Sequence, residues 1–148
     1  IYLQEGLLRP GECQALMELG EQRGLRPAGI DFQGKRGTEA ETRSNWQSFF
    51  GYREQAADAF LRSLVLRLSA FARLPPTHAE ELQVGRYRAG EFYRFHADST
   101  PSRGDEGARR ATVLCYLNAD FEAGRTLFPL LSASPPLTAQ HEEVLLNM

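Results

Sequence analysis

The chain has only two cysteines (Cys13 and Cys115), one lysine (Lys35), one tryptophan and no long apolar run. Each shortage excludes something. Two distant cysteines make neither a disulfide framework nor a CxxC metal site, so the redox compartment stays open. Cys115 lies in an apolar run and is expected to be a buried free thiol. No apolar stretch approaches the roughly 18 residues that a membrane span needs. There is no HExxH and no cysteine ligand cluster, which argues against a zinc hydrolase. Lys and Arg total 17 against 19 Asp and Glu, a formal net charge of -2. That balance gives no reason to expect nucleic acid or an anionic membrane as partner. The basic residues are nearly all arginine, which reads as a codon bias. The chain begins at Ile1 with no signal peptide, as a fragment or a processed form would, and a lost leader stays open.

What is present fits one globular domain. A chain of 148 residues, 42% hydrophobic and 24% charged, can bury an ordinary core. Cys13, Leu16, Met17 and Gly20 follow Pro10 at helical spacing and predict an amphipathic helix ending near Gly24. Residues 27 to 42 show no periodicity and read as a loop. Trp46, Phe49, Phe50 and Tyr52 form an aromatic cluster expected to be partly buried. Ala57, Phe60, Leu61, Leu64, Leu68, Phe71 and Ala72 keep a 3.6-residue stripe. They predict one helix from about Arg53 to Ala72, stopped by Pro75 and Pro76. The period then changes. Leu82 to Tyr87, Phe92 to His96, Ala111 to Asn118 and Arg125 to Leu130 read as strands, and Ser99 to Arg109 as a mobile loop. Helices followed by strands predict an α+β fold with the helices packed on a sheet or barrel.

His96-Ala97-Asp98 carries the chemistry. On a strand, side chains two apart share a face, so an imidazole and a carboxylate would converge on one point. That donor set suits iron(II). Two histidines and one carboxylate on one face leave three coordination positions open. Alone, HxD is a weak motif, and a surface strand with two polar residues gives the same pattern. Its surroundings make it specific. Tyr87-Arg88-Ala89-Gly90-Glu91-Phe92-Tyr93-Arg94-Phe95-His96-Ala97-Asp98 resembles the YxxGxxYxxHxD signature of the prolyl 4-hydroxylase-like iron(II)/2-oxoglutarate oxygenases. Arg110 to Asn118 is similar to that family's RxxTxLxYLN strand, and Glu122 to Pro129 to its EGGxTxFP turn. Arg43-Ser44 resembles an RxS element. Leu7 to Cys13 resembles the family's opening helix, FLSPEEC. These five elements occur in order over residues 1 to about 130.

The resemblance implies a double-stranded β-helix, or jelly-roll, core with N-terminal helices packed on the sheet. It implies Fe(2+), 2-oxoglutarate as cosubstrate, O2, and L-ascorbate as reductant. The implied activity is a dioxygenase that hydroxylates a peptidyl residue, proline at position 4, in a peptide or protein substrate. His96 and Asp98 would be two of three metal ligands, with His141 the candidate for the third. Tyr87 and Thr126 match positions near 2-oxoglutarate. For both, a packing role with the hydroxyl on a backbone carbonyl stays open. Tyr93 and Tyr116 would line the pocket, and Tyr93 serves equally as core. Arg94 and Arg110 would hold backbone or carboxylates around the site. Gly90 and Gly124 would be turn residues. The compartment would be cytoplasmic in a bacterium, or endoplasmic reticulum in a eukaryotic relative with a leader. Oligomeric state is open.

The chain also departs from the family. The family's second histidine lies on a later strand, followed by a lysine or arginine that pairs with the distal carboxylate of 2-oxoglutarate. Here His141 is the sole histidine after Asp98, and no lysine or arginine follows Arg125. Residues 131 to 148 match nothing in the family and read as a divergent tail, linker-like from Ser132 to Ala139. The domain over 1 to 130 is thus expected to lack its C-terminal strands and to leave an open sheet edge. The alternative reading is a catalytically inactive, truncated relative that keeps the fold and serves as a binding or structural domain.

Overall fold

Pro10 opens the first helix, α1 (Pro10–Arg23), in a computed structural model that describes residues 1–28, 30–32, 35–37, 42–98 and 108–129. The Arg9 backbone N–H donates to Glu12 Oε2 at 2.8 Å, satisfying one of the donors a helix start leaves open. Gly24 ends the helix at φ 86°, as the sequence predicts. The Arg67 guanidinium reaches the same Glu12 carboxylate, with Nη2 at 2.9 Å from Oε1. The hydrogen bond from Arg9, and then that from Arg67, hold the Glu12 carboxyl below its ordinary pKa. A lowered carboxylate pKa adds stability above the unfolded value and loses it as pH falls through the folded one. Glu12→Gln is therefore expected to be less stable than the parent at pH 7. The gap should close below about pH 4, as read from denaturant midpoints across pH.

The long stripe from Arg53 to Ala72 folds as two helices, α2 (Tyr52–Ala57) and α3 (Ala59–Ala72). Asp58 makes the break. It takes an extended backbone, and its Oδ1 accepts from the Leu61 N–H at 2.9 Å, capping α3. An apolar stripe does not register a cap, so the periodicity runs straight through it. Arg73, at φ 56°, closes α3, and a 3₁₀ turn at Pro76–His78 follows.

Strands β1 (Arg26–Pro27), β4 (Trp46–Phe50) and β5 (Leu82–Arg86) form an antiparallel sheet in the order β1-β4-β5. Ser48 lies opposite Val84 and Phe50 opposite Leu82. A separate hairpin joins β2 (Ile30–Phe32) and β3 (Lys35–Gly37). Residues 27 to 42 are thus not the plain loop the sequence suggests. The alternation in these pieces spans only three residues each, too short to stand out as a strand signal.

The core is Leu16 of α1, Phe50 of β4, Leu61 and Leu64 of α3, and Val84 of β5. Gly20 lets α1 approach the sheet, because a Cβ there would come within 2.9 Å of Val84 Cγ1. Phe50 is buried, while Phe49 and Tyr52 of the same aromatic cluster face outward.

Leu117 also packs on this core, from a segment that bears out only part of its expectation. From Thr112 to Asn118 exposure alternates: Val113, Cys115 and Leu117 are half-buried, and their neighbours are exposed. That is strand patterning. Yet no hydrogen-bonded strand occurs over 108–129, nor over 92–96 apart from one bridge at Tyr93. Strand assignment needs a partner ladder, and none is present among the described residues. Cys115 is a free thiol, half-buried rather than buried, and desolvation raises its pKa. The architecture is α+β, with helices against an antiparallel three-stranded sheet. No helix among the described residues is long and apolar enough to cross a membrane.

Candidate metal site

β5 leads directly into the segment that carries the candidate ligands. Gly90 turns the chain at φ 82°, a conformation that favours glycine. The chain then runs beside Thr42–Ser44. Ser44 N–H donates to Phe92 O at 3.0 Å, Arg94 N–H to Thr42 O at 2.9 Å, and Phe92 N–H to Ser44 Oγ at 2.9 Å. This bridge pairs Arg43 with Tyr93 and anchors the residues just ahead of His96.

His96 and Asp98 come together, although the backbone there is not a strand. Nε2 of His96 lies 3.1 Å from Oδ1 of Asp98. Nδ1 of His96 lies 2.8 Å from the Arg94 carbonyl oxygen. A carbonyl only accepts, so Nδ1 carries the proton and Nε2 presents its lone pair in the neutral ring. A carbonyl behind the far nitrogen is the usual support of a metal-bound imidazole. Two ligand atoms about 2.1 Å from one ion and at right angles stand about 3.0 Å apart. The observed separation fits neighbouring positions on one ion, and both side chains are over a third exposed, so the pair is reachable. The same distance also describes a direct hydrogen bond between the two when His96 is protonated. Among the described residues no third histidine, cysteine or carboxylate joins them. His141 lies outside the described residues.

Tyr93 stacks on the His96 ring, with centroids 3.7 Å apart and planes at 15°. The Arg43 guanidinium carbon sits over the Tyr93 ring, 4.3 Å from its centroid. Arg43 Nε donates to Oδ1 of the fully buried Asn45 at 2.7 Å. Tyr87 is half exposed. Desolvation raises its pKa, against a smaller opposing effect of Arg43, so its hydroxyl stays protonated and able to donate at neutral pH.

Of the arginines expected around the site, Arg94 lies over the Phe92 ring and Arg110 is exposed. The arginine that binds a carboxylate is instead Arg109. Its Nε and Nη2 donate to Glu80 at 2.5 and 2.7 Å. That hydrogen bond raises the Arg109 pKa, with smaller contributions from Asp98 and Tyr93. Sequence reasoning missed this pair because its partners are far apart in the chain and belong to no motif.

Thr126 and Tyr116 meet in a second cluster. The Tyr116 hydroxyl lies 2.7 Å from Thr126 Oγ1 and accepts from the Thr126 N–H at 3.1 Å. It also donates to Gly124 O at 3.3 Å. Gly124 takes φ 74°, and a Cβ there would meet the Phe121 ring at 3.3 Å. Tyr116 thus holds the turn that presents Thr126.

No family model matches the chain. Curated hydroxylases do resemble it over most of its length. It is 29% identical over 133 residues to prolyl 4-hydroxylase 1 of Arabidopsis thaliana, covering 88% of this chain and 47% of the relative. It is 31% identical over 121 residues to probable prolyl 4-hydroxylase 10 of the same plant, covering 80% and 41%. A putative prolyl 4-hydroxylase of Acanthamoeba polyphaga mimivirus is 27% identical over 139 residues, covering 88% and 54%. Relatives at 26–31% identity over most of the chain support a prolyl 4-hydroxylase-like family for it. It spans about half the length of the curated relatives it matches.

Proposed function

We propose that this chain is the iron-binding part of a 2-oxoglutarate-dependent dioxygenase that hydroxylates peptidyl proline, built on a double-stranded β-helix core. The observation that supports this most is the 3.1 Å approach of His96 Nε2 to Asp98 Oδ1, with Nδ1 held on a carbonyl. The jelly-roll reading is supported by β5, the bridge at Tyr93 and the alternating exposure from Thr112 to Asn118.

In this reading His96 and Asp98 hold Fe(2+), with a third ligand to be supplied, His141 being the candidate. Bound iron with 2-oxoglutarate and O2 supplies the oxidation that side chains cannot perform, L-ascorbate serving as reductant. The chain's own residues orient and exclude. Tyr87, kept protonated, donates to a cosubstrate carboxylate. Thr126, on the turn that Tyr116 holds, contacts the same cosubstrate in this reading. Tyr93 forms one wall of the pocket beside His96. The partner is a peptide or protein substrate.

The test is succinate formation from 2-oxoglutarate by the folded chain, with and without iron and oxygen. Iron- and oxygen-dependent succinate is expected. A folded chain that binds metal and forms none would overturn the enzyme reading in favour of a non-catalytic relative.

A further inference from the structure

We propose that Arg43 and Tyr93 are positioning residues that fix the plane of the His96 ring through a three-layer stack. This rests on the reading of His96 as a metal ligand. The layers are the Arg43 guanidinium, the Tyr93 ring and the His96 imidazole, at spacings of 4.3 and 3.7 Å. Both supports of His96 are tied to the fold. Arg43 is tied by Nε to Asn45, which is 0% exposed and whose Nδ2 donates to Trp46 O at 3.2 Å. Tyr93 is tied by the bridge that pairs it with Arg43 itself. The stack therefore runs from a buried amide just ahead of β4, the central strand, to the imidazole.

Two constraints then act on His96. The Arg94 carbonyl sets which ring edge points back to the chain. The Tyr93 face, at 15°, sets the tilt of the plane. Together they aim Nε2 at Asp98, and neither alone suffices, because a single hydrogen bond leaves the ring free to swing about it. The cation has a distinct task. Two neutral rings lying nearly parallel face each other with like-signed π clouds. A cation over the Tyr93 ring is attracted to that cloud and holds the ring in place.

The experiment uses the full chain and two readouts. The first needs no metal: the ring-proton resonances of His96, one of three histidines, identified by their loss in His96→Gln. They are expected to be shifted upfield by the Tyr93 ring current, and to return to free-histidine positions in Tyr93→Leu. Arg43→Met should move them in the same direction. The second readout is a cobalt(II) titration followed by absorbance. Tyr93→Leu and Arg43→Met should each weaken binding by about 10–100-fold, the range for supports behind a ligand. Tyr93→Phe, which keeps the ring, should stay near the parent in both readouts. Binding lost in His96→Gln but unchanged in Tyr93→Leu and Arg43→Met would overturn the positioning role and leave the metal reading standing. Unchanged binding in His96→Gln would instead overturn the metal reading itself. If Tyr93→Leu fails to fold, Arg43→Met against Tyr93→Phe decides.

Discussion

Asp98→Ala is expected to weaken iron(II) or cobalt(II) binding by more than about 100-fold, beyond the loss that supports behind a ligand cause. Stability should hardly change. Asp98 supplies the carboxylate of the candidate pair, and its side chain is 47% exposed. Its removal leaves no buried charge uncompensated, and water can take its place at His96 Nε2. Exposed substitutions of this kind stay within about 0.5 kcal/mol of the parent. A metal titration beside a denaturant melt separates the two effects. Unchanged metal affinity would remove Asp98 from the site. A large loss of stability would show that its pairing with His96 is structural.

Phe50→Ala is expected to cost about 3–5 kcal/mol, the range for deleting a buried aromatic ring. Phe50 is 1% exposed and packs with Leu16, Leu61, Leu64 and Val84. The Arg23 guanidinium lies 5.3 Å from its centroid. Domains of this kind have about 5–15 kcal/mol in total, so the variant should be close to unfolding. Phe49→Ala is the control on the same strand. Phe49 is 42% exposed, and its loss should cost far less. Urea midpoints for the three proteins give the comparison. Equal costs at the two positions would mean that the core does not centre on Phe50.

The sequence makes some of this legible and hides the rest for physical reasons. The α1 stripe and its Gly24 stop are local signals and appear as expected. The Asp58 break is also local, but it is a matter of one hydrogen bond and leaves the apolar period intact. The segment from Thr112 to Asn118 has its alternation and lacks a ladder, because alternation reports burial and a ladder needs another strand. At the site, spacing by two residues brought His96 and Asp98 to attention, and they do meet. The support behind them was much less visible. Arg43 stood out only as part of a short resemblance, and its approach to Tyr93 joins segments far apart in the chain. One sequence carries no trace of such a pairing beyond the residue types.

The Glu80–Arg109 pair has an engineering consequence. Arg109 grips the Glu80 carboxylate through Nε and Nη2, and Glu80 stands just ahead of β5. Among the described residues no hydrogen-bonded ladder ties 108–129 to the sheet, so this clamp is a tether for the stretch that Arg109 leads. A designer who reverses both charges together would keep the tether, and one who reverses a single charge would cut it.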